Sequence, residues 1–402
     1  MGFLKQAGAV SCIATLAVLI AVGSAWAGDP SVSGYVAGEL RAFPSEPLQA
    51  GQFKTFQPSL LAAPEFRYRS ENGNEQFTVI PFLHVDSQDG NRTHFDVREA
   101  YWLHRADSWD LTLGLNKVYW GVAESRHLVD VINQTDFVED IDEEDKLGQP
   151  MINLNLQRSW GNISLLLLPG FRERTFSDTN GRPGFPLTID VDNAVYESGR
   201  GRGHVDFAAR YSHYFGDWDV GVSYFQGTGR EPRFVPSVQG DRLIPHYDLI
   251  KQGSVDVQYT KNAWLWKFEG IVREGQGGTF GAMVGGFEYT LYQVAGAADL
   301  GLLVEYQRDE RDAGAPFTLG DDDLFFGARY ALNDTQDTSI LGGALVDRDT
   351  RATAVLIEAE RRISEHWKFE FEGRFFTNTE PRDPLYFFRN DSFVTARLSY
   401  FF

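Results

Sequence analysis

The sequence predicts an all-β fold, a transmembrane antiparallel up-and-down barrel of about eighteen strands, with sixteen as the nearest alternative count. Three observations predict it. Segments of roughly ten residues alternate apolar and polar side chains along most of the chain, the period of two that extended strands produce. Aromatic residues make up 14% of the 402 residues, with 31 Phe, 16 Tyr and 9 Trp beside 40 Gly, a profile that suits pleated, half-buried surfaces. Connections alternate between tight and long. A soluble sandwich could also alternate, but the sum favours a barrel: in hydrocarbon every backbone N–H and C=O needs an internal partner, and a closed sheet supplies one for each strand.

Composition narrows the alternatives. With 37 Lys and Arg against 56 Asp and Glu, the net charge of −19 sets nucleic acid aside as a partner, because phosphate binding requires a basic surface. Beyond residue 27 no stretch offers the ~18 unbroken apolar residues of a spanning helix. The first 27 residues have the form of a secretory signal: Lys5, an apolar run from Ile13 to Val22, and the small-residue site Ala25-Trp26-Ala27. The domain plan is therefore a signal peptide over 1–27 and one barrel domain over 28–402. The one cysteine, Cys12, falls in the signal, so stability must come from burial and hydrogen bonding without disulfides. Few residues separate Gly28 from the first strand, which leaves no room for an N-terminal plug.

In chain order the strands are read over 31–43, 60–70, 75–86, 93–106, 109–120, 151–158, 161–172, 203–215, 217–227, 247–260, 263–274, 279–293, 297–309, 322–332, 338–348, 351–362, 366–377 and 386–402. Ala106-Asp107-Ser108, Ser159-Trp160, Gly216-Asp217, Lys261-Asn262 and Asn333-Asp334 are tight turns of the periplasmic kind. The polar connections 44–59, 121–150, 173–202, 228–246 and 310–321 read as extracellular. In the last strand Val394, Ala396, Leu398, Tyr400 and Phe402 share one face. This end resembles the terminal strand that bacterial outer-membrane barrels present to their assembly machinery, here through Phe402.

Residues 121–150 are the sharpest local feature. Leu128, Val129, Val131 and Ile132 are too apolar for a freely solvated loop. The economical solution folds the segment into the lumen; the alternative is an external loop packed on itself. An inserted loop narrows a pore and sets its selectivity, which makes Glu124, Arg126, Asp130, Asn133 and Asp136 the candidate constriction residues. The segment carries Glu124, Asp130, Asp136, Glu139, Asp140, Asp142, Glu143, Glu144 and Asp145 against Arg126 and Lys146, so a lumen position would favour cations. A solvated acidic surface explains the 139–145 run equally well.

The runs K-V-Y-W-G at 117–121, D-V-I-N-Q-T-D at 130–136 and K-L-G-Q-P-M at 146–151 resemble a family of porin-like bacterial outer-membrane proteins of largely unknown function. There a strand ending in W-G precedes D-x-x-N-P-x-D and a segment closing in P-M; here Gln134 replaces the usual Pro. The resemblance covers some 35 residues and implies a barrel without naming a substrate.

Strand parity supplies lumen-lining candidates. With Ile152, Leu154 and Leu156 toward lipid, Asn153, Asn155 and Gln157 point inward. Asp96, Arg98 and His104 oppose Val97, Tyr101 and Leu103; Glu99 falls on the lipid side of that count, which implies a bulge or a different register there. Lys368, Glu370, Glu372 and Arg374 oppose Trp367, Phe369, Phe371 and Phe375. Each such charge is more often part of an ion-pair lattice than a solute contact.

Catalytic and metal patterns are weak. No G-x-S-x-G or H-x-x-x-H occurs, and the acidic runs at 140–145, 190–193 and 321–323 complete no calcium loop. The expectation is a non-enzymatic outer-membrane channel of a Gram-negative cell for passive diffusion of small hydrophilic solutes, cation-preferring, with no cofactor and no resident metal. The runner-up is a transporter of hydrophobic compounds of fatty-acid or hydrocarbon type, for which an apolar lumen would be the sign. Outer-membrane lipid, lipopolysaccharide and the assembly machinery are the expected partners. Diffusion porins often form homotrimers, and nothing in the sequence is a signature for that state.

Overall fold

The computed structural model describes residues 28–402; the signal peptide read over 1–27 lies outside them. Eighteen strands close one antiparallel sheet. They are β1 (Gly28–Ala42), β2 (Phe56–Ser70), β3 (Glu75–Asp86), β4 (His94–Arg105), β5 (Trp109–Asn116), β6 (Gln149–Arg158), β7 (Gly161–Pro169), β10 (Val205–Phe215), β11 (Trp218–Thr228), β14 (Leu249–Lys261), β15 (Trp264–Glu274), β16 (Phe280–Ala295), β17 (Ala298–Asp309), β18 (Asp322–Ala331), β19 (Ser339–Asp347), β20 (Thr353–Arg362), β21 (Trp367–Thr377) and β22 (Phe393–Phe401). Each pairs with its neighbour in sequence, and β22 returns to β1 with Tyr35 opposite Phe401 and Ala42 opposite Val394. Closure removes the unpaired edges that no bilayer tolerates.

Every expected strand is present, with corrected ends. The expected strand over 109–120 stops at Asn116, and the final one begins at Phe393 because Pro384–Phe388 forms a 3₁₀ turn capped by the Asp383 carboxylate. Alternation holds on the outer face, where Val36, Leu40, Ile152, Leu165, Leu167, Val222, Phe326 and Phe369 are all exposed. Trp218 packs on Tyr259 at 4.4 Å and Trp264 on Trp266 at 5.5 Å beside the short turns, the amphipathic aromatic belt expected at a membrane interface.

The expected irregularity at Glu99 is a β-bulge. Ile80 pairs with Glu99 but Pro81 with Val97, leaving Arg98 as the extra residue. A bulge reverses parity along the rest of a strand. Glu99, Tyr101 and Leu103 therefore turn inward, opposite the lumen-facing Ile80, Thr78 and Gln76, and His104 turns outward with Glu75. The assignments of His104 to the lumen and of Tyr101 and Leu103 to lipid are corrected accordingly.

A second, small sheet escaped the sequence analysis. β8 (Thr188–Ile189), β9 (Val195–Tyr196), β12 (Arg233–Pro236) and β13 (Arg242–Tyr247) form it from two of the long connections: β12 pairs antiparallel with β13, and β8 and β9 pair parallel with β13. Elements of two to six residues are too short to show a period. This sheet lies at the end of the barrel opposite the short turns, hereafter the loop end.

Candidate functional site

The connection 117–148 leaves the wall where β5 ends and folds into the lumen. Its neck is closed by one side chain: the Asn133 carboxamide accepts from Val118 N–H at 2.9 Å and donates to the carbonyls of Asn116 at 3.0 Å and Leu147 at 2.9 Å. Asp136 N–H donates to the Asp145 carbonyl and Leu147 N–H to that of Gln134, giving a small internal hairpin. Gly121 lies at φ 134° with its backbone against Glu269, and a Cβ there would stand 2.7 Å from that carboxylate. Only glycine allows the approach.

Packing fixes one face of the loop. Leu128, Val129, Val131 and Ile132 are buried in a cluster with Met151, Leu166, Leu168, Ala208, Phe225, Ile250, Ile271, Ala282 and Val284. These wall residues stand on β6, β7, β10, β11, β14, β15 and β16, so the lumen face of seven strands is apolar where the loop lies on it. Burial of this kind stabilises by about 1.5–3 kcal/mol per large side chain. Leu165 and Leu167 face lipid while Leu166 and Leu168 lie under the loop, which accounts for the unbroken leucine run.

Polar contacts carry the loop across the lumen. On one side the buried Glu269 and Glu305 carboxylates accept backbone N–H groups: Val122 at 2.7 Å, Ala123 at 2.9 Å and Val129 at 3.1 Å for the first, Glu124 at 2.9 Å and Ser125 at 2.8 Å for the second. Glu124 also pairs with Lys267 at 3.4 Å and Arg329 at 2.6 Å, and Arg126 with Asp309 at 2.7 Å. On the other side Asp136 binds Arg98, Glu139 accepts from His84 at 2.9 Å, Asp140 pairs with Arg41 at 3.2 Å and Asp142 with Arg374 at 2.6 Å. The loop is thus held by β15, β17 and β18 at one wall and by β1, β3, β4 and β21 at the other.

A cavity of about 270 Å³ remains beside it. Its lining includes Glu124, Arg126, Asp142, Glu143, Glu144 and Arg374 together with an apolar patch, Phe325, Leu341, Leu345 and Leu356. At the loop end five connections meet over it in a ring cluster. Phe185 is the hub, with ring centroids 5.9 Å from Phe137, 5.9 Å from Phe176, 5.4 Å from Phe234, 6.0 Å from Phe317 and 5.7 Å from Phe388.

No family model matches the chain, and no curated protein matches it. Solved structures match in fold. A BenF-like porin from Pseudomonas fluorescens Pf-5 superposes with a TM-score of 0.53 at 9% identity, over 93% of this chain and 98% of that one. Pseudomonas aeruginosa OccK9 (OpdG) gives 0.53 at 11% identity over 93% and 98%. Wzi of Escherichia coli, described as an outer-membrane carbohydrate-binding β-barrel involved in group 1 capsule assembly, gives 0.54 at 9% identity over 90% and 83%. At these identities the likeness is one of fold.

The candidate residues separate into groups. Glu124, Arg126, Asp130, Asn133 and Asp136 all lie in the inserted loop, but Asn133 serves as its neck clasp and Asp136 is fully buried against Arg98 and Thr175. Asp130 is buried and meets Lys146 at 3.3 Å. Burial outweighs Lys146 and pushes the Asp130 carboxyl up from its usual range. Asp96 pairs with Arg172 at 2.8 Å and Arg98 at 3.4 Å. Asn155 and Gln157 donate to Asp110 at 2.8 and 2.5 Å near the short turns, and Asn153 is buried on the inner face of β6. Lys368 joins Glu360 at 2.7 Å and Glu370 at 3.0 Å, while Arg374 joins Glu372 at 2.8 Å and Glu358 at 2.9 Å.

Sequence reasoning missed Glu269, Glu305, Arg41 and His84. Their signal is present as a buried-face acid or base inside an otherwise apolar strand, such as the glutamate of W-L-W-K-F-E-G. Among the described residues three groups have ligand-type atoms within 4.8 Å of one another: His94, Asp136 and Glu139; Asp140, Asp142 and Glu372; Asp321, Asp323 and Asp347. In the first two, guanidinium groups of Arg98, Arg41 and Arg374 already occupy the carboxylates.

Proposed function

We propose that the protein is a porin-like channel of a Gram-negative outer membrane that passes small hydrophilic solutes by passive diffusion and prefers cations. The observation that supports this reading is the loop 117–148, which crosses the lumen with a cavity of about 270 Å³ beside it, the arrangement of a loop that narrows a channel. Seven Asp and Glu side chains border that cavity against six Lys and Arg, and Asp142, Glu143 and Glu144 cluster on the loop itself, where acids in a narrow low-dielectric passage attract counter-ions. The long connections face outward, the short turns face the periplasm, and the apolar belt meets outer-membrane lipid and lipopolysaccharide. The last strand, ending in Phe402, is the segment the assembly machinery engages, and a homotrimer is the assembly to test first.

Planar-bilayer recordings of the refolded barrel in a potassium chloride gradient test the reading. Ohmic current with a cation-selective reversal potential is expected; silence or anion selectivity overturns it. One observation favours the hydrophobic-compound reading: Leu303, Phe325, Leu341, Leu345 and Leu356 form an apolar patch on the inner face of β17–β20. The apolar wall of β6, β7, β10, β11, β14, β15 and β16 is covered by the loop and carries no such implication.

A further inference from the structure

The inner patch on β17–β20 is buried at Leu303, Phe325 and Leu341 and half-buried at Leu345 and Leu356, which form its rim on the cavity. Leu345 and Leu356 pack on the buried Leu303, Phe325 and Leu341, and their free faces border the cavity together with Phe376. The partial exposure left on Leu345 and Leu356 is apolar surface that a ligand in the cavity would remove from water.

Next to that patch, at Arg374, carboxylates outnumber the guanidinium groups paired with them. Arg374 is shared among Asp142 at 2.6 Å, Glu372 at 2.8 Å and Glu358 at 2.9 Å, and Asp140, within 4.8 Å of the Asp142 and Glu372 carboxylates, has Arg41 at 3.2 Å. Four carboxylates therefore divide two guanidinium groups. Glu144, also on the cavity, pairs with His127 at 3.9 Å. The surplus is felt in the loop: burial and the neighbouring Asp140, Glu372 and Glu144 hold the Asp142 carboxyl well above its usual range.

We infer that the cavity is a saturable subsite for an amphipathic organic cation, its ammonium-type head at Asp142 and Glu358 and its apolar body against Leu341, Leu345 and Leu356. The inference rests on the channel reading and deepens it by naming the solute class. A cation relieves the surplus negative charge, and the patch, with Phe376 beside it on the cavity, takes the hydrocarbon or aromatic body. An inorganic cation satisfies only the first of these demands and an organic acid only the second. The volume is sufficient for a body of about one aromatic ring or a short alkyl chain.

The probe is 2-phenylethylammonium, compared with methylammonium, which lacks the body, and phenylacetate, which reverses the charge. Two measurements use the full barrel: block of potassium current in planar bilayers, and calorimetric titration of the protein in detergent. Saturable binding of 2-phenylethylammonium, at least about tenfold tighter than either control, is expected, with Asp142→Asn, Glu358→Gln and Leu356→Asn each weakening it by about fivefold or more. Equal affinity for phenylacetate, or for methylammonium, overturns the inference while potassium current persists and the channel reading stands. Binding in detergent by a barrel that conducts nothing overturns the channel reading and keeps the subsite. Heat-modifiable gel mobility separates unfolded variants from folded ones, and Leu345→Asn serves where Leu356→Asn fails to fold.

Discussion

The Glu269 carboxylate, projecting inward from β15, accepts a hydrogen bond from the backbone N–H of Val129 at 3.1 Å. A wall residue far along the chain thus sets the path of a loop that leaves the barrel at β5. The same carboxylate takes the N–H groups of Val122 and Ala123, so one buried charge replaces three ladder partners that the departing backbone gave up.

Glu269→Ala should release this edge of the loop. Losing a charged acceptor for three partly or wholly buried N–H groups costs about 2–4 kcal/mol locally. Amide hydrogen exchange over 120–132 should accelerate and single-channel current should grow noisier and larger. Unchanged protection in that segment would show that packing alone positions the loop.

Val129 is fully buried in the apolar contact between loop and wall. Val129→Asp places an unpaired carboxylate there and should cost about 3 kcal/mol or more. The loop should detach while the barrel ladder persists, read as higher conductance with an unaltered far-ultraviolet spectrum. Current equal to the parent protein's would place the loop's anchoring elsewhere.

The titration of Asp130 has a sign that can be checked. Burial raises its carboxyl above the unfolded value of 3.8 in spite of Lys146, so the folded state holds the proton longer. Below 3.8 both states are protonated and the full contribution is present; as pH rises through the elevated folded value, stability falls. Asp130→Asn should flatten the dependence of the unfolding midpoint on pH from about 4 upward. A parallel, merely displaced profile would assign the slope to other groups.

Phe185 joins five other rings at the loop end. Hydrophobic constrictions close pores by excluding water, so Phe185→Ala should raise conductance about twofold or more, with little change in ion selectivity. If current falls instead, the ring cluster props the entrance open.

Strand positions were legible because lipid imposes one face on every strand, and alternation in Trp367–Phe375 or Val394–Phe402 records it directly. The inserted loop was legible from Leu128, Val129, Val131 and Ile132, four apolar residues that need a covering surface. What covers them was not. In Leu165–Leu168 both faces are apolar, and a period of two disappears when lipid lies on one side and a folded loop on the other. His104 was misplaced because parity counts assume an unbroken register, and Arg98 breaks it.

The amino-acid order by itself determined the barrel, a strand number of eighteen or sixteen and the presence of a segment too apolar for open water, because these follow from local periodicity and from the demand that every backbone group be paired in hydrocarbon. Only the tertiary structure decided between eighteen strands and sixteen, which wall receives that segment, which acids share Arg374 and which leucines border the cavity. Those outcomes depend on residues from β1 and β21 being brought beside a loop that starts at β5, and closure of the sheet, a property of all strands together, creates that proximity.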